Sequence, residues 1–443
     1  MKKISGRIET FIFADLLATV MLATLAFGTV ESWSLAIFEI NALIVGVLLA
    51  WQYTIDPEFD WRRLGLSLPL WLLLAWALIQ ILPFRSALPV PPAPESLPLD
   101  RLRLPTISQD PQATREAIAK LLALAIYFTA ALHVLRSSRR RQLSLRILAG
   151  FGFAVSLFAI VQRLTYNGKM YWFRPVSIYI APYGPFGNYN HFAGMAELLF
   201  PLPFAWLLFT RSKLDERIFF SLATVMLAAA GIFSLSRGGM ISMIVQFMAL
   251  GSVLIHGRIK GPDRAERGKL PLLPVLIVIA VLLVSVWIGY EPLVKRFGTI
   301  QQGAGEYSVV TRVEFWRASW RMFLDHPLTG VGLGAFPAVY PSYGSSSSRH
   351  ERLEQAHNDY LQLLTDAGIV GGAIGLLFLA LLFRRRREQW RSGPSMRSVD
   401  RATTIGGTVA VLGILVHSLM DFNLQIASNA LLFLFVIAMT EKE

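Results

Sequence analysis

The sequence predicts an all-α polytopic membrane protein, and three observations support that prediction. Of the 443 residues, 54% are hydrophobic and only 16% are charged, whereas soluble chains carry roughly 25% charged residues. The apolar residues come in runs of about 20, which is the length that a helix needs to cross a hydrocarbon core of about 30 Å. The 42 Lys and Arg residues outnumber the 29 Asp and Glu residues, and in so apolar a chain this excess is typical of membrane orientation rather than of nucleic-acid binding. These observations exclude a soluble globular protein.

About twelve apolar runs are long enough to be predicted as transmembrane helices. The basic start, residues 1–9, leads into the first run without a small-residue cleavage site, so we interpret it as part of the first span. If that start is cytoplasmic, the basic clusters at 139–141 and 384–387 also face the cytoplasm, as the positive-inside rule requires. Both termini are then cytoplasmic. The predicted spans are 10–29, 33–52, 64–83, 116–135, 146–164, 191–210, 218–235, 239–256, 271–290, 360–383, 402–420 and 425–440.

The outer face carries the unusual segments and suggests three regions. Residues 1–290 hold spans one to nine with short loops and a Pro-rich outer loop at 84–114. Residues 291–359 form a large structured loop between spans nine and ten, and residues 360–443 hold spans ten to twelve. A loop of this length with its own structure is usually functional.

The large loop contains one predicted helix. Thr311 and Glu314 have capping-box spacing, which predicts a helix over 312–325 that ends before Pro327. Trp316 and Trp320 lie one turn apart on it and indicate an amphipathic helix at the membrane interface.

Arg237, within Ser236-Arg237-Gly238-Gly239, is predicted at the outer membrane edge because so short a turn joins spans seven and eight. The two glycines let backbone N–H groups approach a ligand, and an Arg beside a helix N-terminus can clamp a phosphate. A snorkelling Arg bound to lipid headgroups explains the same pattern. Both readings stay open on the motif alone.

His357, followed by Asn358, Asp359 and Tyr360, precedes the tenth span. A histidine can take a proton from a hydroxyl at physiological pH, so His357 is a candidate base. The plain alternative is helix capping, because Asn and Asp commonly start helices.

The predicted loop helix also carries three arginines. Arg312 lies at its start, and Arg317 and Arg321 share one face; together they could receive a diphosphate, although anionic lipid explains Arg317 and Arg321 equally well. Asn190, before the sixth span, suits either sugar contact or helix capping, and we favour capping.

Four acidic residues fall inside predicted spans, where each needs a partner. A proton relay is one reading, and hydrogen bonding between helices is the commoner one. The chain has no cysteine and no evident metal-ligand or nucleotide-sugar motif. The four residues are Asp15, Glu39, Glu197 and Asp366.

The motifs in this order resemble the O-antigen ligase and O-antigen polymerase superfamily. Each motif alone is weak, but together they span residues 186 to 422 on a many-span topology with a late outer loop. They are Phe186-Gly187-Asn188-Tyr189-Asn190-His191, Ser236-Arg237-Gly238-Gly239, the run 326–336 (HPLTGVGLGAF), His357-Asn358-Asp359-Tyr360-Leu361, Gly368-Ile369-Val370-Gly371, His417-Ser418 and Asp421-Phe422.

The resemblance implies a GT-C-like glycosyltransferase of the bacterial inner membrane, with its active site facing the periplasm. Such proteins are metal-independent and need no cofactor; they pass a glycan from undecaprenyl diphosphate to an acceptor hydroxyl with inversion. His357 would be the base, and Arg237 and Arg312 would hold the donor diphosphate. The supporting residues would be Asn190, Arg321, Asn358 and Tyr360.

The acceptor stays open at this level. A ligase transfers to lipid A core, a polymerase extends a growing glycan, and a third branch modifies protein hydroxyls; we favour the ligase. A flippase or transporter of lipid-linked sugars is the alternative from a different class, but it would use an internal repeat that the sequence does not show.

Overall fold

The computed structural model describes residues 2–55, 65–83, 106–176, 182–260, 304–344, 353–391 and 398–441. The chain is almost entirely helical over these ranges, with one short antiparallel strand pair, β1 (Lys169–Met170) and β2 (Arg174–Pro175). The helices are α1 (Lys2–Leu25), α2 (Ser32–Ile55), α3 (Leu68–Gln80), α4 (Pro111–Val134), α5 (Ser138–Leu164), α6 (Tyr189–Leu199), α7 (Pro201–Phe209), α8 (Leu214–Phe233), α9 (Arg237–Lys260), α10 (Ala304–Asp325), α11 (Phe336–Val339), α12 (Asp359–Arg391), α13 (Ser398–His417) and α14 (Ala427–Thr440).

Within the described ranges, nine helical segments are long and apolar enough to cross a membrane. Each overlaps one of the predicted spans, which fits a multi-pass membrane protein. Two further predicted spans, 64–83 and 425–440, are the shorter apolar helices Gly65–Gln80 and Ala427–Thr440. The predicted span 271–290 lies outside the described residues.

The sixth predicted span consists of two helices, α6 and α7. They meet at Phe200, and Pro201 is the first residue of α7. Because proline lacks the N–H that would continue the helical hydrogen bonds, the break falls at this point.

Helix α13 contacts α5, α6, α7, α9 and α14, so it joins much of the membrane-spanning part. Close approach depends on small residues, as is usual between membrane helices. A Cβ atom on Gly413 would lie 2.0 Å from Nε2 of Gln246 in α9. That Nε2 donates to the carbonyl oxygen of Glu197 in α6 over 2.9 Å. These contacts hold helices α6, α9 and α13 together.

Helix α10 corrects one prediction. It begins at Ala304, so Thr311 lies inside the helix and the predicted capping box is wrong. The seven residues before Thr311 are also helical, and the local capping pattern does not reveal this. Its end at Asp325, before Pro327, is confirmed.

The glycine-rich run after α10 docks on a break in α12 at Gly368 (φ 63°). The N–H groups of Val331 and Gly332 donate to the carbonyls of Thr365 and Asp366, over 2.9 and 3.0 Å. A Cβ atom on Gly330 would lie 2.4 Å from the backbone of Asp366. The glycines are therefore required by close backbone approach, and the docking fixes α10 against α12.

Candidate functional site

His357 lies immediately before α12 in a constrained conformation. Its φ of 50° is left-handed, which costs a non-glycine residue about 1–2 kcal/mol. Its carbonyl accepts a hydrogen bond from Trp316 Nε1 of α10 over 3.3 Å, and its ring stacks on Phe315. The imidazole is 24% exposed. Two neighbouring elements therefore hold the imidazole at a surface that a substrate can reach.

Asp421, in the turn between α13 and α14, faces both His357 and Arg312. Its Oδ1 lies 3.4 Å from His357 Nδ1, and its Oδ2 lies 3.9 Å from Arg312 Nη2. The first distance is near the outer limit of a hydrogen bond, and such contacts commonly tighten when a substrate binds. The Asp421 side chain is 1% exposed.

Opposing effects set the pKa of Asp421. Burial alone would raise this pKa, but the close contact with His357 and the charges of His357, His191 and His417 outweigh burial. Together they hold the pKa of the carboxyl well below its usual range, so Asp421 is an anion at neutral pH.

A carboxylate on Nδ1 determines which nitrogen of His357 can act as a base. When Nδ1–H points at Asp421, Nε2 carries the lone pair and faces away from the carboxylate. If Nε2 accepts a proton, Asp421 stabilises the imidazolium that forms. The pair can therefore withdraw a proton from a hydroxyl placed against Nε2.

A second histidine, His191, also contacts Phe422. The ring of Phe422 is edge-on to His357 at 4.8 Å and to His191 of α6 at 4.9 Å between centroids. His191 is buried, and its carbonyl accepts from Asn429 over 2.9 Å. The start of α6 therefore lies one aromatic ring away from His357.

Arg237 is the first residue of α9, and its position relative to the site follows from its neighbour in the chain. The next residue, Gly238, packs against the ring of His417, the last residue of α13. Asp421 follows one turn later and donates its backbone N–H to the His417 carbonyl over 3.1 Å. The turn that carries Arg237 and the turn that carries Asp421 therefore share His417 as a neighbour.

The supporting residues predicted from sequence have structural contacts. Asn358 Oδ1 accepts the N–H groups of Tyr360 and Leu361, both over 3.0 Å, so Asn358 caps α12 as the capping alternative expected. Tyr360 donates its hydroxyl to the Leu415 carbonyl over 2.7 Å. These contacts orient the start of α12 and hence the residue before it, His357.

Asn190 and Arg321 differ from expectation. The residue that caps α6 is Asn188, whose Oδ1 accepts the N–H of Asn190 over 2.9 Å; capping by Asn190 is therefore wrong, because Asn190 already lies in the first helical turn. Arg321 donates to the Tyr343 carbonyl over 3.1 Å. It lies nine residues after Arg312 on α10, a rise of about 13 Å along the axis, so the structure does not bring the two guanidinium groups together.

Three of the four intramembrane acids accept hydrogen bonds from neighbouring helices or loops. Asn41 donates to Asp15 over 3.0 Å, and Gln362 and the Gly334 N–H donate to Asp366, each over 3.1 Å. Glu197 bonds to His417, and the charged neighbours of Glu39 are Lys120 and Glu116. Hydrogen bonding accounts for these three residues.

In the described part of the chain, no group of three or more His, Asp or Glu side chains is arranged to hold a metal ion.

Asp421 and His191 occur in the sequence motifs, but the sequence alone indicates a role for neither residue. The sequence signal for Asp421 was an acidic residue directly after the predicted span 402–420. The contacts that give it meaning join three distant parts of the chain, and no local pattern reveals them.

Comparison with known protein families gives a match to part of the chain. Residues 222–376, about a third of the chain, match the family described as O-antigen ligase. No curated protein matches the chain. The matched range contains Arg237, Arg312 and His357, whereas Asn190 and Asp421 lie outside it. The match supports a glycosyltransferase-type enzyme, and the similarity of residues 222–376 to the O-antigen ligase family supports the superfamily that the motifs resemble.

Proposed function

We propose that this protein transfers a glycan from undecaprenyl diphosphate to an acceptor hydroxyl, most specifically as an O-antigen ligase acting on lipid A core. The observation that carries the proposal is the position of Asp421, which faces His357 and Arg312 at once. A base and a cation on one carboxylate suit a reaction that removes a proton and releases an anion. The family match supports the same class of chemistry.

The proposed transfer is a single displacement. His357 Nε2 takes the proton of the acceptor hydroxyl while the hydroxyl oxygen attacks the anomeric carbon. The bond from that carbon to the diphosphate oxygen breaks, and its electron pair leaves with undecaprenyl diphosphate. Attack opposite the leaving group inverts the anomeric centre.

The two arginines take the leaving group in this proposal. Arg312 and Arg237 bind diphosphate oxygens and offset the negative charge that develops as the bond breaks. Arginine suits this role because its planar guanidinium binds phosphate through two parallel hydrogen bonds. The proposal uses no metal ion and no cofactor.

The position of the site suits a lipid-linked donor. His357, Arg237 and Asp421 lie at the starts or ends of helices that can span a membrane. A long polyprenyl chain can remain in the bilayer while its glycan projects into the periplasm. We place the protein in the bacterial inner membrane with both termini in the cytoplasm.

The test uses purified protein in detergent with an undecaprenyl-diphosphate-linked glycan. Lipid A core and unmodified donor are offered as acceptors in separate reactions, each with and without a chelator. We expect glycan on lipid A core, no effect of the chelator, and loss of transfer in His357→Ala. Lengthened lipid-linked glycan would indicate a polymerase instead, and no release of undecaprenyl diphosphate with either acceptor would refute the proposed transfer with these acceptors.

The arginine assignment has a matched control on the same helix. Arg312→Ala should weaken binding of undecaprenyl diphosphate, whereas Arg317→Ala, at an exposed position of α10, should not. Equal losses in the two variants would mean that α10 binds anionic lipid through its overall charge.

A further inference from the structure

His417 and Glu197 form a buried pair that the proposed transfer does not use. His417 Nδ1 and Glu197 Oε1 are 2.9 Å apart, and the two side chains are 1% and 0% exposed. The pair joins the last residue of α13 to the last turn of α6. Ionisable groups inside a membrane protein are costly and commonly mark function, so the pair calls for an explanation beyond packing.

The pair lies directly against the first turn of α9. A Cβ atom on Gly238 would be 2.6 Å from Cδ2 and 2.7 Å from Nε2 of His417. A Cβ atom on Gly239 would be 3.1 Å from Glu197 Oε1. Both members of the pair therefore touch the backbone that immediately follows Arg237.

The backbone conformation of the turn that leads into α9 is held by local contacts. Leu235 has a left-handed φ of 59°, and Ser236 Oγ accepts the Gly239 N–H over 3.1 Å. With the turn fixed on one side by this cap and on the other by the imidazole ring, the direction of the Arg237 side chain depends on where the ring lies. The hydrogen bond to Glu197 sets the ring position.

We propose that Glu197 and His417 are positioning residues that hold Arg237 in place for the donor diphosphate. The inference rests on the proposed function, because it assumes that Arg237 binds diphosphate. His417 acts through ring contact with Gly238, and Glu197 acts by orienting that ring. Neither residue touches the donor.

The experiment measures the dissociation constant of undecaprenyl diphosphate for the full-length protein in detergent. Glu197→Leu keeps a similar volume in an apolar setting but removes the acceptor, and we expect at least a 10-fold weaker complex. Glu197→Gln keeps an oxygen that accepts from Nδ1, and we expect binding within about 3-fold of the wild type. Tight binding by the Glu197→Gln variant would show that Glu197 acts as a hydrogen-bond acceptor and that its charge is not needed.

A double-mutant cycle tests whether the effect passes through Arg237. In an Arg237→Ala background, Glu197→Leu should change the dissociation constant by less than about 2-fold, because the group that it positions is gone. A full 10-fold loss in that background would overturn the proposal.

The matched control is Asp400, near the other end of α13. It forms a buried ion pair with Arg141 at 3.1 Å, so Asp400→Asn also breaks a buried interaction of the same helix. We expect Asp400→Asn to lower the unfolding temperature while leaving diphosphate binding within 2-fold. Equal binding losses in Asp400→Asn and Glu197→Leu would assign the effect to general destabilisation and overturn the proposal.

Failure of the positioning role and failure of the proposed function give different binding results. If the wild type binds and Arg237→Ala binds poorly, while Glu197→Leu binds as tightly as the wild type, only the positioning role is refuted. If the wild type does not bind undecaprenyl diphosphate, both the proposed function and the positioning role are refuted.

Discussion

Replacing Asp421 by asparagine should slow glycan transfer more than it weakens donor binding. The substitution keeps the side-chain shape but removes the charge that faces His357 Nδ1 at 3.4 Å. An amide can also present its NH2 group to Nδ1, which would place the imidazole proton on Nε2, the nitrogen that has to accept a proton. The variant therefore loses imidazolium stabilisation and favours the wrong tautomer.

The separation between Asp421 and His357 brackets the size of the effect. Coulomb's law over 3.4 Å gives about 5 kcal/mol at an effective dielectric constant of about 20 and about 1.2 kcal/mol in bulk water. Each 1.36 kcal/mol is about tenfold in rate, so the two limits are about 10-fold and several thousand-fold. Because the imidazole is 24% exposed and the carboxylate only 1%, we expect a loss of about 100- to 1000-fold in kcat.

The assay follows release of undecaprenyl diphosphate at saturating donor and acceptor, with the unfolding temperature of each variant measured in parallel. Asp421→Asn in a His357→Ala background should cost little more than His357→Ala alone, since the carboxylate acts through the imidazole. Turnover above half of the wild-type value in a folded Asp421→Asn variant would refute the pairing. So would a full additional loss in the double variant.

Three further predictions concern the arginine clamp, the docked loop and pH. Arg312→Lys should bind undecaprenyl diphosphate about 10-fold more weakly than the wild type, because an ammonium makes no bidentate phosphate contact; equal dissociation constants would contradict the clamp. Gly330→Ala should destabilise the protein by more than about 3 kcal/mol because its Cβ would meet the Asp366 backbone at 2.4 Å, whereas Gly168→Ala, with open space and the same sign of φ, should cost about 1 kcal/mol in chemical denaturation. Burial lowers the pKa of His326, so the stability that neutral His326 contributes is present above about pH 6.5 and is lost as the pH falls; between pH 7 and pH 5 the unfolding temperature of the wild type should drop more than that of His326→Gln.

The sequence predicted the membrane-spanning character well because that signal is local. Runs of about 20 apolar residues report their own length, and within the described ranges nine helical segments that overlap predicted spans are long and apolar enough to cross a membrane. Boundaries were less accurate where tertiary contacts override local pattern. Thr311 has the spacing of a helix cap, yet α10 continues seven residues upstream to Ala304.

The candidate site could be predicted only in part. Arg237, Arg312 and His357 are unusual residues at predicted membrane edges, so residue type and location were enough to nominate them. Asp421 is recognised as a site residue only from its distances to His357 and Arg312. Glu197 is recognised as a positioning residue only from its bond to His417. These contacts are set by helix packing, which spacing along the chain does not encode.

The two ends of the helix bundle differ in a way that favours an outward-facing site. The start of α12, the end of α13 and the turn into α14 bring together His357, His417 and Asp421. Buried arginines lie at the opposite ends of these helices: Arg386 of α12 donates to the Thr440 carbonyl over 3.0 Å and pairs with Glu441 at 2.8 Å, and Arg141 of α5 pairs with Asp400 of α13. The basic runs 139–141 and 384–387 belong to this second end, which the positive-inside rule assigns to the cytoplasm. Under the proposed function, the end that carries His357 faces away from the cytoplasm, where a lipid-linked glycan and its acceptor can meet.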